Sequence, residues 1–119
     1  MAAIALNKFR TIRIPITTNS VGIYTCPIGV SAIVILSQVS NISTGVAKST
    51  YAVTASHSRP SEIPADYVFA NKVAIPPNDG LNLISDGRLV LETNDIIKIA
   101  ADTNNVLNLV LSILETAKQ

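Results

Sequence analysis

The chain has no tryptophan, one cysteine, one histidine and only five aromatic side chains, three Tyr and two Phe, in 119 residues. Each shortage removes a class of protein. A single thiol, Cys26, cannot close an intrachain disulfide, so core packing and partner chains must hold the fold. An intracellular assembly site suits such a chain. Charged residues make up 14% of the chain, against about 25% in an average globular protein. That is too little charge to cover the surface, so apolar area is expected to end against another chain. The nine Lys and Arg residues are scattered and give a net charge of +1. Only Lys8, Arg10 and Arg13 come close to clustering, so no basic stripe with interleaved aromatics marks a nucleic-acid partner. The longest uninterrupted apolar runs, residues 1–6 and 32–36, are far short of the ~20 residues a membrane helix needs. The opening M-A-A-I-A-L-N-K-F-R lacks the basic and long apolar regions of a signal peptide. Apolar residues, at 48%, exclude disorder. One domain is expected at this length, with a real core.

What is present is a rhythm. Between residues 73 and 114, short alternating apolar runs are cut by Asn, Asp, Gly or Pro at about the 8–12-residue spacing of an all-β sandwich. Strands are expected over residues 8–17, 21–26, 30–41, 46–55, 67–75, 81–84, 88–92, 95–101 and 106–115. Residues 30–41 read as a central strand, apolar on both faces at its start. Residues 56–64, S-H-S-R-P-S-E-I-P, read as a polar loop between two β halves. Residues 106–115 fit both periods, and the neighbouring β pattern favours a strand, with a short helical end over 115–119. No connection has room for the helices of a parallel α/β fold. The expectation is an all-β, two-sheet antiparallel sandwich, jelly-roll-like, with about eight strands. Its core is expected to include Ile14, Ile23, Ile33, Val34, Ile35, Leu36, Val53, Val68, Leu83, Leu89, Leu91, Ile97, Ile99, Leu109 and Leu111.

Chemistry-bearing residues are sparse. His57 sits beside Ser56 and Ser58, but triads are set by geometry and not by adjacency, and no G-x-S-x-G elbow exists. It reads as a solvated loop histidine. Cys26, before Pro27, has no cationic setting and reads as a small buried apolar group. Asp79, Asp86, Asp95 and Asp102 each mark a turn. They lack the D-x-D-x-D-G spacing of a calcium loop and read as turn caps. A carbohydrate-binding site would need exposed aromatics, for which only Tyr24, Tyr51 and Tyr67 are available. No catalytic residue, metal or cofactor is expected.

Three stretches carry a resemblance. Y-T-C-P-I-G-V-S-A-I-V-I-L, residues 24–36, resembles the Y-T-x-P-x-G-x-x-A-I-V segment of small β-sandwich modules in tailed-bacteriophage virions. I-P-P-N-D-G-L-N-L-I-S-D-G-R-L-V-L-E-T-N-D-I-I-K-I-A-A, residues 75–101, is similar to their I-P-x-G-x-x-L-x-L-x-G-x-L-V-L-x-x-G-D-x-I-x-V-x-A run. L-N-L-V-L-S-I-L-E, residues 107–115, resembles their closing V-x-x-S-V-L-E strand. The pattern departs at Asn94, where the modules often have Gly before the Asp. The resemblance implies a non-enzymatic virion component, assembled in the host cytoplasm. Such modules decorate capsids or sit in tails, necks and fibres as symmetric oligomers.

The resulting expectation is a capsid decoration or cement protein. Its partners would be other virion proteins, the major capsid protein or tail proteins, with no nucleic acid and no membrane. A homo-oligomer is expected, with a trimer favoured. A tail, neck or baseplate accessory protein is the runner-up, and a carbohydrate-binding module the alternative of another class. Lys8, Arg10, Arg13, His57 and Arg59 are the candidate assembly contacts. Residues 1–7 are a candidate extended arm that adds a strand to a neighbour.

Overall fold

The computed structural model describes residues 7–84 and 88–117. Nine strands form two antiparallel sheets packed as a sandwich: β1 (Asn7–Pro15), β2 (Val21–Thr25), β3 (Val30–Asn41), β4 (Tyr51–Ser58), β5 (Asp66–Ile75), β6 (Gly80–Asn82), β7 (Leu89–Leu91), β8 (Ile96–Ala101) and β9 (Leu107–Ala117). One sheet has the order β1-β9-β3, with β6 and β7 both paired to the far edge of β3; the other has the order β2-β8-β4-β5. β6 meets β3 at residues 38–40 and β7 meets it at residues 32–34. The two short strands thus share one edge, and nine strands fill eight positions. Of the sequential strands, only β4 and β5 pair directly. The other pairings join distant parts of the chain in the jelly-roll manner.

The period-2 pattern explains why β9 is a strand to its end. Leu107, Leu109, Leu111 and Ile113 alternate inward and are at most 1% exposed, while Asn108, Val110, Ser112 and Leu114 face out. A helix would have split that stripe, and the strand runs on through Ala117 where a helical end was expected. Ile16, Val34, Val39, Val53, Leu91 and Ile99 complete the buried centre. Cys26 is fully buried, its thiol against the carbonyls of Val30 and Leu91. Asn41 is a polar staple in this core. Its Nδ2 donates to the carbonyls of Ser49 and Ile75, each at 2.8 Å, and its Oδ1 accepts from the Ser43 hydroxyl at 2.6 Å.

Three expectations are corrected. The fourth strand is not 46–55: a 3-10 turn, Gly45–Ala47, opens at Gly45 with φ +60°, and the strand begins at Tyr51. It then runs through Ser56, His57 and Ser58, which had read as loop. Val68 is 53% exposed, because β5 carries two bulges against β4 and Val68 pairs with Ser56 on the outer face. Ile33, Ile35 and Leu36 are only half-buried. The register of β3 against β9 shifts between Val34 and Leu36, placing Ile33 and Leu36 on the outer face. Residues 1–6 of the expected arm, the turn at 85–87 and Asp86 lie outside the described residues; Asn7 already belongs to β1.

Candidate assembly surface

The outer face of the β1-β9-β3 sheet is built from aligned rows. Phe9 on β1 pairs with Leu114 on β9, Leu114 with Ile33 on β3, and Ile33 with Val90 on β7. Four large apolar side chains therefore lie in one line across the whole sheet. Phe9 is 73% exposed and Val90 56%. Hydroxyl and amide groups flank the line: Asn7, Thr116 and Ser31 on one side, Thr11 and Ser112 with Leu36 on the other. Next come Arg13, Val110, Gln38 and Asn82. Arg13 is the only charged residue in these rows. The opposite outer face differs: Lys98 there pairs with Asp66 at 3.1 Å.

The five candidate contact residues fall into two groups. Lys8, Arg10 and Arg13 share β1, an edge strand. Lys8 lies opposite Glu115 in the register. Arg10 turns inward, its Nη1 donating to Glu115 Oε2 at 3.3 Å and its guanidinium 5.7 Å from the centre of the Tyr24 ring. Glu115 is the last residue of the inward stripe of β9 and is only 7% exposed. The Tyr24 hydroxyl donates to the same oxygen at 2.5 Å. Burial, then this hydrogen bond and the carboxylate charge, push the Tyr24 phenol above its ordinary range.

His57 on β4 and Arg59, just past the end of that strand, converge on Asp95, which immediately precedes β8 and is fully buried. Arg59 grips it with two bonds, Nε to Oδ1 at 2.9 Å and Nη2 to Oδ2 at 2.8 Å. His57 Nε2 lies 2.9 Å from Oδ2, and the Glu92 backbone N–H donates to the same oxygen at 2.9 Å. Arg59 also meets Glu92 at 2.9 Å and Glu62 at 3.4 Å. Chiefly through the Arg59 bonds, and against the cost of burial, the Asp95 carboxyl is held well below the usual carboxylate range. His57 is therefore a strand residue tied to a buried carboxylate and not a solvated loop histidine.

Other candidates are dispersed. The Asp79 side chain accepts from the Gly80 N–H and Asp102 from the Ala52 N–H. No three His, Cys, Asp or Glu side chains among the described residues gather as a metal site. Tyr24 is buried, Tyr51 donates its hydroxyl to the Ala47 carbonyl, and Tyr67 is exposed. The three offer no shared platform.

Sequence reasoning missed the apolar line, because Phe9, Ile33, Val90 and Leu114 become neighbours only through the register. It also missed Glu115 and Asp95 as hubs. A charge at the end of the L-x-L-x-L-x-I-x-E alternation was the one visible signal for Glu115.

The fold has solved counterparts. A chain from the study "Bacillus endospore appendages form a novel family of disulfide-linked pili" matches with TM-score 0.56 and 8% identity, covering 100% of this chain and 98% of that one. A chain from the acidic stable capsid structure of Helicobacter pylori bacteriophage KHP30 matches with TM-score 0.54 and 12% identity, covering 97% of this chain and 90% of that one. At these identities the likeness is one of fold. No protein-family model matches the chain, and no curated protein matches it in sequence.

Proposed function

We propose that this protein is a non-enzymatic structural component of a virion, a capsid decoration or cement protein that binds and stabilises the shell. The observation that carries this reading is the near-complete overlap of the jelly roll with a phage capsid chain. The charge-poor outer face of the β1-β9-β3 sheet supports it, since a subunit of an assembly needs such a surface. The polar clusters support it too. His57, Arg59 and Asp95 satisfy one another within the sandwich, as do Arg10, Tyr24 and Glu115, and a structural role accounts for each.

The partners on this reading are the major capsid protein or tail proteins and further copies of the chain. Residues 1–6, M-A-A-I-A-L, precede β1 and are the segment we assign to reaching a neighbouring subunit. Deleting them should weaken binding to purified particles in co-sedimentation while leaving the circular-dichroism spectrum of the sandwich unchanged. Undiminished decoration by the truncated protein would move attachment to the sheet faces. A tail, neck or baseplate position is the closest alternative.

The appendage likeness favours a second reading, a repeating subunit of a filament. The disulfide linkage named for that family would need accessible thiols, whereas the single cysteine here, Cys26, is fully buried.

A further inference from the structure

We infer that the outer face of the β1-β9-β3 sheet is the surface by which two copies of this chain pair, sheet on sheet, about a two-fold axis. Three observations on the face select a second copy as its occupant.

The first is charge. In the rows mapped across this face Arg13 alone is charged, and it lies on the edge strand β1. Paired rows that carry one charge, with Arg88 and Glu92 only at the two ends of β7, offer little to recognise an acidic or basic partner. They also bring no like charges together when they meet their own image.

The second is the pattern. Phe9, Leu114, Ile33 and Val90 form a continuous apolar line with hydroxyl and amide groups on both sides. A two-fold contact is self-complementary, so each patch must match itself. An apolar line rimmed by neutral polar groups meets that condition: line lies on line and rim on rim. The exposed ends, Phe9 at 73% and Val90 at 56%, are the side chains with most to gain from being covered.

The third is area. β1, β9 and β3, with 9, 11 and 12 residues, and the fourth position shared by the three-residue β6 and β7, at ~4.8 Å spacing and ~3.3 Å per residue, present about 600 Å² in projection. The accessible surface of a side-chain-covered sheet exceeds its projection. The face therefore falls within the ~600–1,000 Å² per partner of stable interfaces. Sheets that pack face to face sit ~10 Å apart with their strands within ~30°.

This pairing goes beyond the virion reading and does not rest on it. A dimer that fails to bind particles would sink the decoration role and leave the pairing intact. A monomer that decorates particles would do the reverse.

The test is light scattering coupled to size exclusion on the full chain over nanomolar to micromolar concentrations. The variants are Phe9→Asp and Val90→Asp, with Tyr67→Asp, exposed on the opposite sheet, as the control. Thermal melts establish that all three fold. The expected result is a wild-type dimer, unaffected by Tyr67→Asp. Phe9→Asp and Val90→Asp should each weaken it by roughly a hundredfold or more, because each change enters a two-fold interface twice. A wild-type monomer, a trimer, or a dimer that both substitutions leave intact overturns the inference.

Discussion

Tyr24 on β2 donates its hydroxyl to Glu115 Oε2 on β9 at 2.5 Å, across the interior from one sheet to the other. Arg10 reaches the same oxygen from β1. Three strands and both sheets therefore meet at one carboxylate, at the end of a stripe that is otherwise leucine and isoleucine. The burial of the charge is offset by a hydroxyl and a guanidinium.

Tyr24→Phe removes the donor and leaves the carboxylate buried with Arg10. The expected cost is ~1.5–3 kcal/mol in urea denaturation, the range for hydrogen bonds to charged groups. The Tyr24 phenol is raised above its ordinary range in the fold. Its neutral form therefore stabilises the protein fully below the unfolded phenol value of about 10, and that contribution is lost as pH rises above it. Ultraviolet titration should show this phenol ionising only with alkaline unfolding, and Tyr24→Phe should abolish that late step.

Asp95→Asn keeps the shape of the hub and removes its charge. A cost of about 3 kcal/mol is expected, since Arg59 and His57 lose the anion they share. The folded carboxyl lies below its unfolded value of about 3.9. Its contribution is thus present at neutral pH and is lost only as pH falls below about 4 toward the folded value. Wild-type stability should decline through that acid window, and Asp95→Asn should flatten the decline. Equal acid slopes in the two proteins would contradict the hub.

His57→Ala removes one of the bonds to Asp95. A loss of about 1 kcal/mol in thermal or urea unfolding is expected, with particle binding unchanged. A hydrolytic activity that disappears in this variant while the fold persists would overturn the non-enzymatic reading.

Asn94 adopts φ +71° in the turn before Asp95, a conformation open to Gly and tolerated by Asn. This accounts for Asn where the resembling modules carry Gly. Asn94→Gly should be nearly neutral, while Asn94→Val should cost about 1–2 kcal/mol in the same unfolding assay.

The fold was legible where burial follows the two-residue period. In β9 the inward leucines announce their own register, and in β3 the apolar start marks a central strand. Legibility failed where long-range partners decide. Ser56, His57 and Ser58 look like loop because they are polar. They are strand because Asp95 satisfies His57 and because Ser58 bonds to Asp66, a bond that also lowers the Asp66 carboxyl. The bulges that turn Val68 outward have no local signature beyond Asn71 and Lys72, the latter at φ +50°. The candidate surface was legible only as a shortage of charge. Its location came from register, which sets Phe9 beside Leu114 although their positions in the chain are far apart.

Cryo-electron microscopy of virus particles purified from the source that encodes this chain tests the proposed virion role most directly. The account predicts density on the outside of the shell, repeated with the lattice symmetry, that accepts the β1-β9-β3 and β2-β8-β4-β5 sandwich. A fully resolved shell with no such density, from particles whose mass spectrum lacks this chain, would contradict it.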